Sequence, residues 1–271
     1  MFIIVAAKKS SGKPKNSVAA ARGGKSGGGS SYRAVWEWIK SIAGTVAIFL
    51  VLRTFFVEAY RIPSGSMIPS MLVGDWLFVN KLVYGPHVPF THFSLPGYGN
   101  PQRGDVVVFE SPFQADQLPL GEDPTPTLVK RLIGMPGDTL YGRDGIVYVN
   151  GLAQRQGYTS PDQEKGDPNR VDPDFDWQKK VGLKSSRFGA APDQPKLDTW
   201  GPFVVPPGHY WMMGDNRYNS KDSRFWGFVP RANVRGRPLF VYYSYVPSDE
   251  SDRVLSFITD IRWSRIGHWI K

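Results

Sequence analysis

Ser41 to Leu52 is a run of twelve uncharged, mostly apolar residues, and it constrains the chain more than any other feature. Such a run needs either a packed core or a bilayer around it. Twelve residues fall short of the roughly 20 that a spanning helix requires. Counted from Ala34 to Val57 the segment has 24 residues, with Glu37, Lys40 and Arg53 near its ends. Long basic side chains at such places can reach the interface. The reading is a single transmembrane helix over 34–57. Two others compete with it: a cleaved export signal ending near Val57 to Ala59, and a buried helix of a soluble domain. The long basic leader and the bulk of Phe55-Phe56 weigh against a cleavage site.

The net charge of +9 does not indicate a nucleic-acid partner once it is located. Residues 1–40 hold Lys8, Lys9, Lys13, Lys15, Arg22, Lys25, Arg33 and Lys40 against Glu37 alone, so +7 of the +9 belongs to them. Binding phosphates needs a clustered basic face on the folded part, and no nucleic acid is expected. The stretch from Lys8 to Ser31 is rich in Gly, Ser and Lys, cannot bury apolar surface, and is expected to be disordered within a basic tail over 1–33. The positive-inside rule puts that tail in the cytoplasm and everything after Val57 outside, with the lipid bilayer as a partner.

Beyond Tyr60 the chain reads as strands between strong turn signals, helped by 22 of the chain's 29 glycines and 22 of its 23 prolines. Candidate strands are Trp76 to Val79, Asp105 to Glu110, Leu128 to Ile133, Ile146 to Val149, Tyr210 to Met213 and Leu239 to Ser244. Asp144-Gly145 and Asn150-Gly151 look like hairpin turns. The expected fold is mainly β: an antiparallel, barrel-like catalytic sheet system over 58–151 and 200–248, preceded by one transmembrane helix. The polar stretch 152–199 reads as an inserted small β accessory region, since so long a structureless loop is unusual in a compact core. The last segment, 249–271, is amphipathic and basic. It suits an interfacial membrane segment or a packed terminal helix equally well.

There is no cysteine, which excludes disulfides and a thiol nucleophile. The histidines, His87, His92, His209 and His268, have no metal-ligand spacing, so neither a metal nor a cofactor is expected.

Three polar elements bear on chemistry. Pro63-Ser64-Gly65-Ser66-Met67-Ile68-Pro69-Ser70-Met71 has two prolines and a glycine fixing a rigid path, which can present a serine without ordering a floppy loop; taken alone it reads as a plain turn. In Leu128-Val129-Lys130-Arg131-Leu132 an extended backbone puts Lys130 on one face with Leu128 and Leu132, and Arg131 on the other. Burial there would lower the lysine's pKa and let the neutral amine act as a base, though a strand lysine can also snorkel to water. Without a persuasive histidine, a Ser-Lys dyad is the economical way to activate a hydroxyl. Gly214-Asp215-Asn216-Arg217-Tyr218-Asn219-Ser220-Lys221-Asp222-Ser223-Arg224 can build an orienting polar network or be a solvated loop.

Together, and with Arg103-Gly104-Asp105-Val106-Val107, these elements stand in an order that resembles bacterial signal peptidase I from about Val51 to Ser244. The resemblance implies Ser66 as nucleophile and Lys130 as general base. It implies Ser64 as an oxyanion-hole hydroxyl beside the backbone N-H of Ser66, Ser220 as the residue orienting the lysine, and Asp222 with Arg224 as structural support. Ile62, Met67, Met71 and Val129 match substrate-binding wall positions. Tyr218 departs from the family's usual aspartate. The substrates implied are preprotein signal peptides cut after small-x-small sites, by a single-pass enzyme of the bacterial cytoplasmic (inner) membrane. The rival readings are a self-cleaving repressor-type peptidase of the Ser-Lys superfamily and a catalytically inactive, membrane-tethered binding module.

Overall fold

The computed structural model describes residues 29–88, 91, 93–155, 173–247 and 256–271. Most of the basic tail therefore lies outside the described residues, as do 156–172 of the insertion and 248–255. The chain divides into two units, 1–47 and 48–271.

Helix α1 spans Gly29–Val51 and is continued by a π-helical stretch, Leu52–Phe56. Helix therefore begins a few residues earlier than expected and runs through the whole apolar segment. From Tyr32 to Phe55 it is long and apolar enough to cross a membrane, a length of about 36 Å at the α-helical rise. Its apolar side chains, among them Trp36, Ile39, Ile42 and Val46, are exposed, a surface that requires an apolar partner.

Within 48–271 the strands are β1 (Val57–Arg61), β2 (Asp75–Asn80), β3 (Val106–Glu110), β4 (Thr127–Gly134), β5 (Thr139–Arg143), β6 (Ile146–Val149), β7 (Leu152–Ala153), β8 (Trp200–Val204), β9 (His209–Met213), β10 (Val229–Pro230) and β11 (Val234–Ser244). They form a seven-stranded sheet ordered β1-β2-β11-β3-β4-β9-β10 and a four-stranded sheet ordered β7-β6-β5-β8. All pairings are antiparallel. β11 pairs with β3 through Val234 and Gly236 and with β2 from Arg237 on, with shifts of register along the way. Such irregularities bend a strand, and the large sheet curls into a half-barrel, as the mainly β reading expects.

Alternation explains most of the core. In β2 Leu77 and Val79 point inward while Trp76 and Phe78 lie on the other face. β3 and the second half of β4 are buried on both faces, as central strands are when both sides are covered. The two expected hairpin turns are present. Asp144-Gly145 joins β5 to β6 and Asn150-Gly151 joins β6 to β7, all four residues at positive φ, the backbone of a type I′ turn.

The small sheet draws chiefly on strands that flank the insertion. Leu140, Val147, Val149, Trp200 and Phe203 pack on Ile133, Trp211 and Met213 of the large sheet. The described part of the insertion adds β7, a 3-10 turn Pro173–Phe175 and a short helix α2 (Trp177–Val181). Near the carboxyl end, Gly267 and Ile270 donate backbone bonds to Val241 and Leu239, while Val241 donates to His268. Ile270 is buried, whereas Trp263 and Trp269 remain exposed. This end packs as an extra edge along β11 rather than as a terminal helix.

Candidate active site

Three segments far apart in sequence converge on Lys130. The sheet order places β4 between β3 and β9, so Lys130 lies opposite Val107 on an interior strand of the large sheet. β9 ends at Met213 beside Arg131, and the loop beginning at Gly214 therefore emerges next to the lysine. β1 feeds directly into the turn that carries Ser66, which sits in a single 3-10 turn, Gly65–Met67. That turn rests on Met67 and Met71, which are buried with Ile62, Leu77, Val106, Val241 and Ile270.

Lys130 is 4% exposed, and its Nζ lies 2.6 Å from Ser66 Oγ. Burial pushes the ammonium down from its ordinary 10.5 to about 8. Asp222 and Asp215 oppose that shift and Arg224 reinforces it. As an ammonium Lys130 donates to the hydroxyl; as an amine it accepts the hydroxyl proton. The alternation that set Lys130 with Leu128 and Leu132 thus does bury it, and the snorkelling alternative does not occur.

The Gly214–Arg224 loop is a network, not a solvated loop. Asp222 is fully buried and accepts from Arg224 Nε at 2.8 Å and Nη2 at 2.8 Å, and from the Gly214 amide at 3.1 Å. It also caps helix α3 (Ser223–Trp226). Burial alone would raise its carboxyl, but the Arg224 guanidinium and these bonds hold it below the usual carboxylate range. Ser220 is buried, and its Oγ has no hydrogen-bond partner. Ser64 is exposed, its Oγ 3.5 Å from Ser66 Oγ. Val129 is half-buried against the Ile62 and Met67 cluster. Tyr218 is half-buried against the Asp144-Gly145 turn, so close that a Cβ on Gly145 would meet its hydroxyl at 2.5 Å.

Several residues whose roles the sequence reading left open complete the site. Arg131, on the opposite face of β4, makes a bidentate pair with Asp215: Nε to Oδ1 at 2.7 Å and Nη2 to Oδ2 at 2.6 Å. Ser70 Oγ donates to the same carboxylate at 2.5 Å, and Arg131 Nη1 donates to the Gly104 carbonyl at 2.7 Å. This one carboxylate ties the nucleophile segment, the lysine strand and the loop together. Asn216 does the same through backbone: its N-H donates to the Ser66 carbonyl at 3.0 Å and its Nδ2 to the Gly65 carbonyl at 3.2 Å. Gly214 has no room for a side chain. A Cβ there would lie 2.3 Å from Ser220 Oγ and 2.5 Å from the Ser66 carbonyl oxygen.

His87 and His209 each bond a backbone carbonyl, of Ala232 and Pro207. Among the described residues no group of three His, Asp or Glu could hold a metal ion.

A hydroxyl held against a buried, depressed amine on an antiparallel β scaffold is the constellation of a Ser-Lys hydrolase. The family model described as signal peptidase, peptidase S26 matches residues 35–243. The signal peptidase I of Pseudomonas fluorescens is 37% identical over 227 residues, 77% of this chain and 72% of that protein. The signal peptidase I of Pseudomonas aeruginosa is 35% identical over 242 residues, 85% of this chain and 78% of its own. A solved signal peptidase I from Enterococcus faecalis V583 is 30% identical over 51% of this chain and 96% of its own, with a TM-score of 0.29. The family assignment rests on the family match and the sequence relatives. The chain belongs to the signal peptidase family, peptidase S26. Nothing in these comparisons favours a repressor-type peptidase or an inactive binding module.

Proposed function

We propose that the Ser66–Lys130 pair is the catalytic machinery of this chain, a signal peptidase I in activity: a serine endopeptidase that removes amino-terminal signal peptides from exported preproteins. The observation that carries the residue assignment is the 2.6 Å contact between a half-buried serine hydroxyl and a lysine that burial brings down to about 8. In acylation Ser66 Oγ attacks the scissile carbonyl carbon as its proton passes to the neutral Nζ of Lys130. The resulting ammonium returns that proton to the leaving amine as the C–N bond breaks. Water, deprotonated by the same amine, then hydrolyses the ester on Ser66.

Ser64 Oγ and the Ser66 backbone N-H serve the developing oxyanion, and donors of that kind act mainly in the transition state. Ser220 orients Lys130 during turnover; its hydroxyl is buried and has no other partner to compete for it, the bond to Lys130 being absent at rest. The substrate binds as an added strand. β9 pairs with β4 only from Arg131 onward, which leaves the edge at Thr127 to Val129 open for an extended peptide. Ile62, Met67, Met71 and Val129 set the shape of the adjoining pockets. Small apolar pockets reject bulk more effectively than they distinguish methyl groups, so sites with small residues one and three positions before the cut are accepted broadly.

The helix, residues 34–56, spans the bilayer, with the tail 1–33 in the cytoplasm, residues from β1 at Val57 onward outside, and 152–199 an insertion in the exported part. The length of the helix supports the span, and the basic residues before it support the orientation.

The test is cleavage of a purified preprotein in detergent by the wild type, Ser66→Ala and Lys130→Ala, with sequencing of the new amino terminus. Only the wild type should cut, after a small-x-small site. Normal cleavage by folded Lys130→Ala would remove the lysine from the mechanism. Failure of the folded wild type to cut any preprotein would remove the peptidase reading.

A further inference from the structure

The insertion has no role in the chemistry just described, yet two of its parts grip the arginine that holds Asp222. Trp177 Nε1 donates to the Arg224 carbonyl at 3.2 Å and Gln178 Nε2 donates to the same oxygen at 2.8 Å. From the other end of the insertion, the Leu197 carbonyl accepts from Arg224 Nη1 at 3.1 Å. Phe175 packs on Phe225, centroids 4.8 Å apart, and the Trp177 ring lies over Gly227. Helix α3 is only four residues long, too short to hold itself in place. Its position is set by these contacts together with the bond that the Met212 N-H donates to Ser223 Oγ at 2.9 Å.

Arg224 has no slack on its other side. It spans Asp222 with two bonds and donates to the Arg217 carbonyl at 2.6 Å. Asp222 and Arg224 are also two of the three charges that act on Lys130. Anchoring of the Arg224 backbone by the insertion is thereby transmitted through one side chain to the field around the general base.

Gln178 is the informative member of this clasp. It is 2% exposed, and its Oε1 has no hydrogen-bond partner. Burying an amide with half its capacity unmet costs free energy, so a leucine of similar size would serve packing as well or better. What the amide supplies, and a leucine could not, is the bond to the Arg224 carbonyl.

We infer that Gln178, with the indole N-H of Trp177, is a positioning residue for the Ser66–Lys130 pair, and that the insertion splints the Asp222–Arg224 end of the catalytic loop. This rests on the proposed dyad. With the clasp loosened, Arg224 neither compensates Asp222 nor repels the Lys130 ammonium as well. Both changes favour the charged lysine.

The test is the pH dependence of peptide cleavage by the full chain in detergent, comparing the wild type with Gln178→Leu, Trp177→Phe and the exposed neighbour Lys179→Ala. Gln178→Leu should lower kcat about tenfold with KM unchanged, and should move the rising limb of the profile up by about half a pH unit. Trp177→Phe keeps the ring and loses only the N-H, so it should do the same to a smaller extent, and it carries the test if Gln178→Leu does not fold. Lys179→Ala should match the wild type. Folded variants with unchanged kcat and an unchanged limb would overturn the inference while the dyad stands. So would variants that lose only thermal stability. A wild type whose activity survives Ser66→Ala would instead bring down the dyad.

Discussion

Lys130 Nζ sits 2.6 Å from Ser66 Oγ, although 64 residues of chain separate them. A charged ammonium at that distance would only donate to the hydroxyl, so the contact is productive when the lysine is neutral. Because burial brings its pKa to about 8, kcat/KM should rise about tenfold per pH unit below that value and level off above it. The check is a profile from pH 6 to 10 on a peptide substrate without titratable groups near the cut. A flat profile would contradict the assignment.

The same burial carries a stability cost of predictable sign. Lys130 binds its proton less tightly when folded than when unfolded, so between about pH 8 and 10.5 the unfolded chain holds more protons and stability rises with pH. Below that window the cost is fully present, and above it the cost vanishes. Lys130→Met should therefore be more stable than the wild type at pH 7, by on the order of 3 kcal/mol at most, and the gap should close by about pH 10.5. Denaturant unfolding at the two pH values is the measurement.

Asp215 should behave as a structural tie. It is 2% exposed and carries the bidentate bond from Arg131. Asp215→Ala strands a buried guanidinium and should cost about 3–5 kcal/mol. Pairing it with Arg131→Met should recover a large part of that loss, as a double-mutant cycle would show. Equal, additive losses would mean that the two side chains do not act as a pair.

Much of the site was legible because strand alternation is a local property. The pattern from Leu128 to Leu132 put Lys130 on the face of the two leucines and turned Arg131 away, but it left open whether the lysine stays buried or snorkels to water. The two turns, Asp144-Gly145 and Asn150-Gly151, were legible for the same reason. What Arg131 turns toward was not. Its partner Asp215 is 84 residues on, and Ser70 lies 145 residues from Asp215; both distances close only through the sheet order. β8 was also missed, since Pro202 breaks a strand signal and is tolerated because β8 is an edge strand. The carboxyl-terminal segment offered apolar residues at mixed spacing, and its pairing with β11 depends on a neighbour that local sequence does not specify.

Ser64 should act on the transition state and not on binding. Ser64→Ala should lower kcat about a hundredfold with KM little changed. An equal rise in KM with kcat intact would instead make it a ground-state contact.

Gly214 should tolerate no side chain. An added Cβ would meet backbone, the Ser66 carbonyl at 2.5 Å, as well as Ser220 Oγ at 2.3 Å. Gly214→Ala should abolish cleavage while the helix and small sheet remain folded by circular dichroism.

The most direct measurement is to trap the acyl-enzyme with a β-lactam-type acylating inhibitor and locate the adduct by peptide mass spectrometry. One adduct per chain is expected, on the peptide containing Ser66, absent in Ser66→Ala and formed far more slowly in Lys130→Ala. An adduct on Ser64, Ser70 or Ser220, or one that persists in Ser66→Ala, would contradict the account.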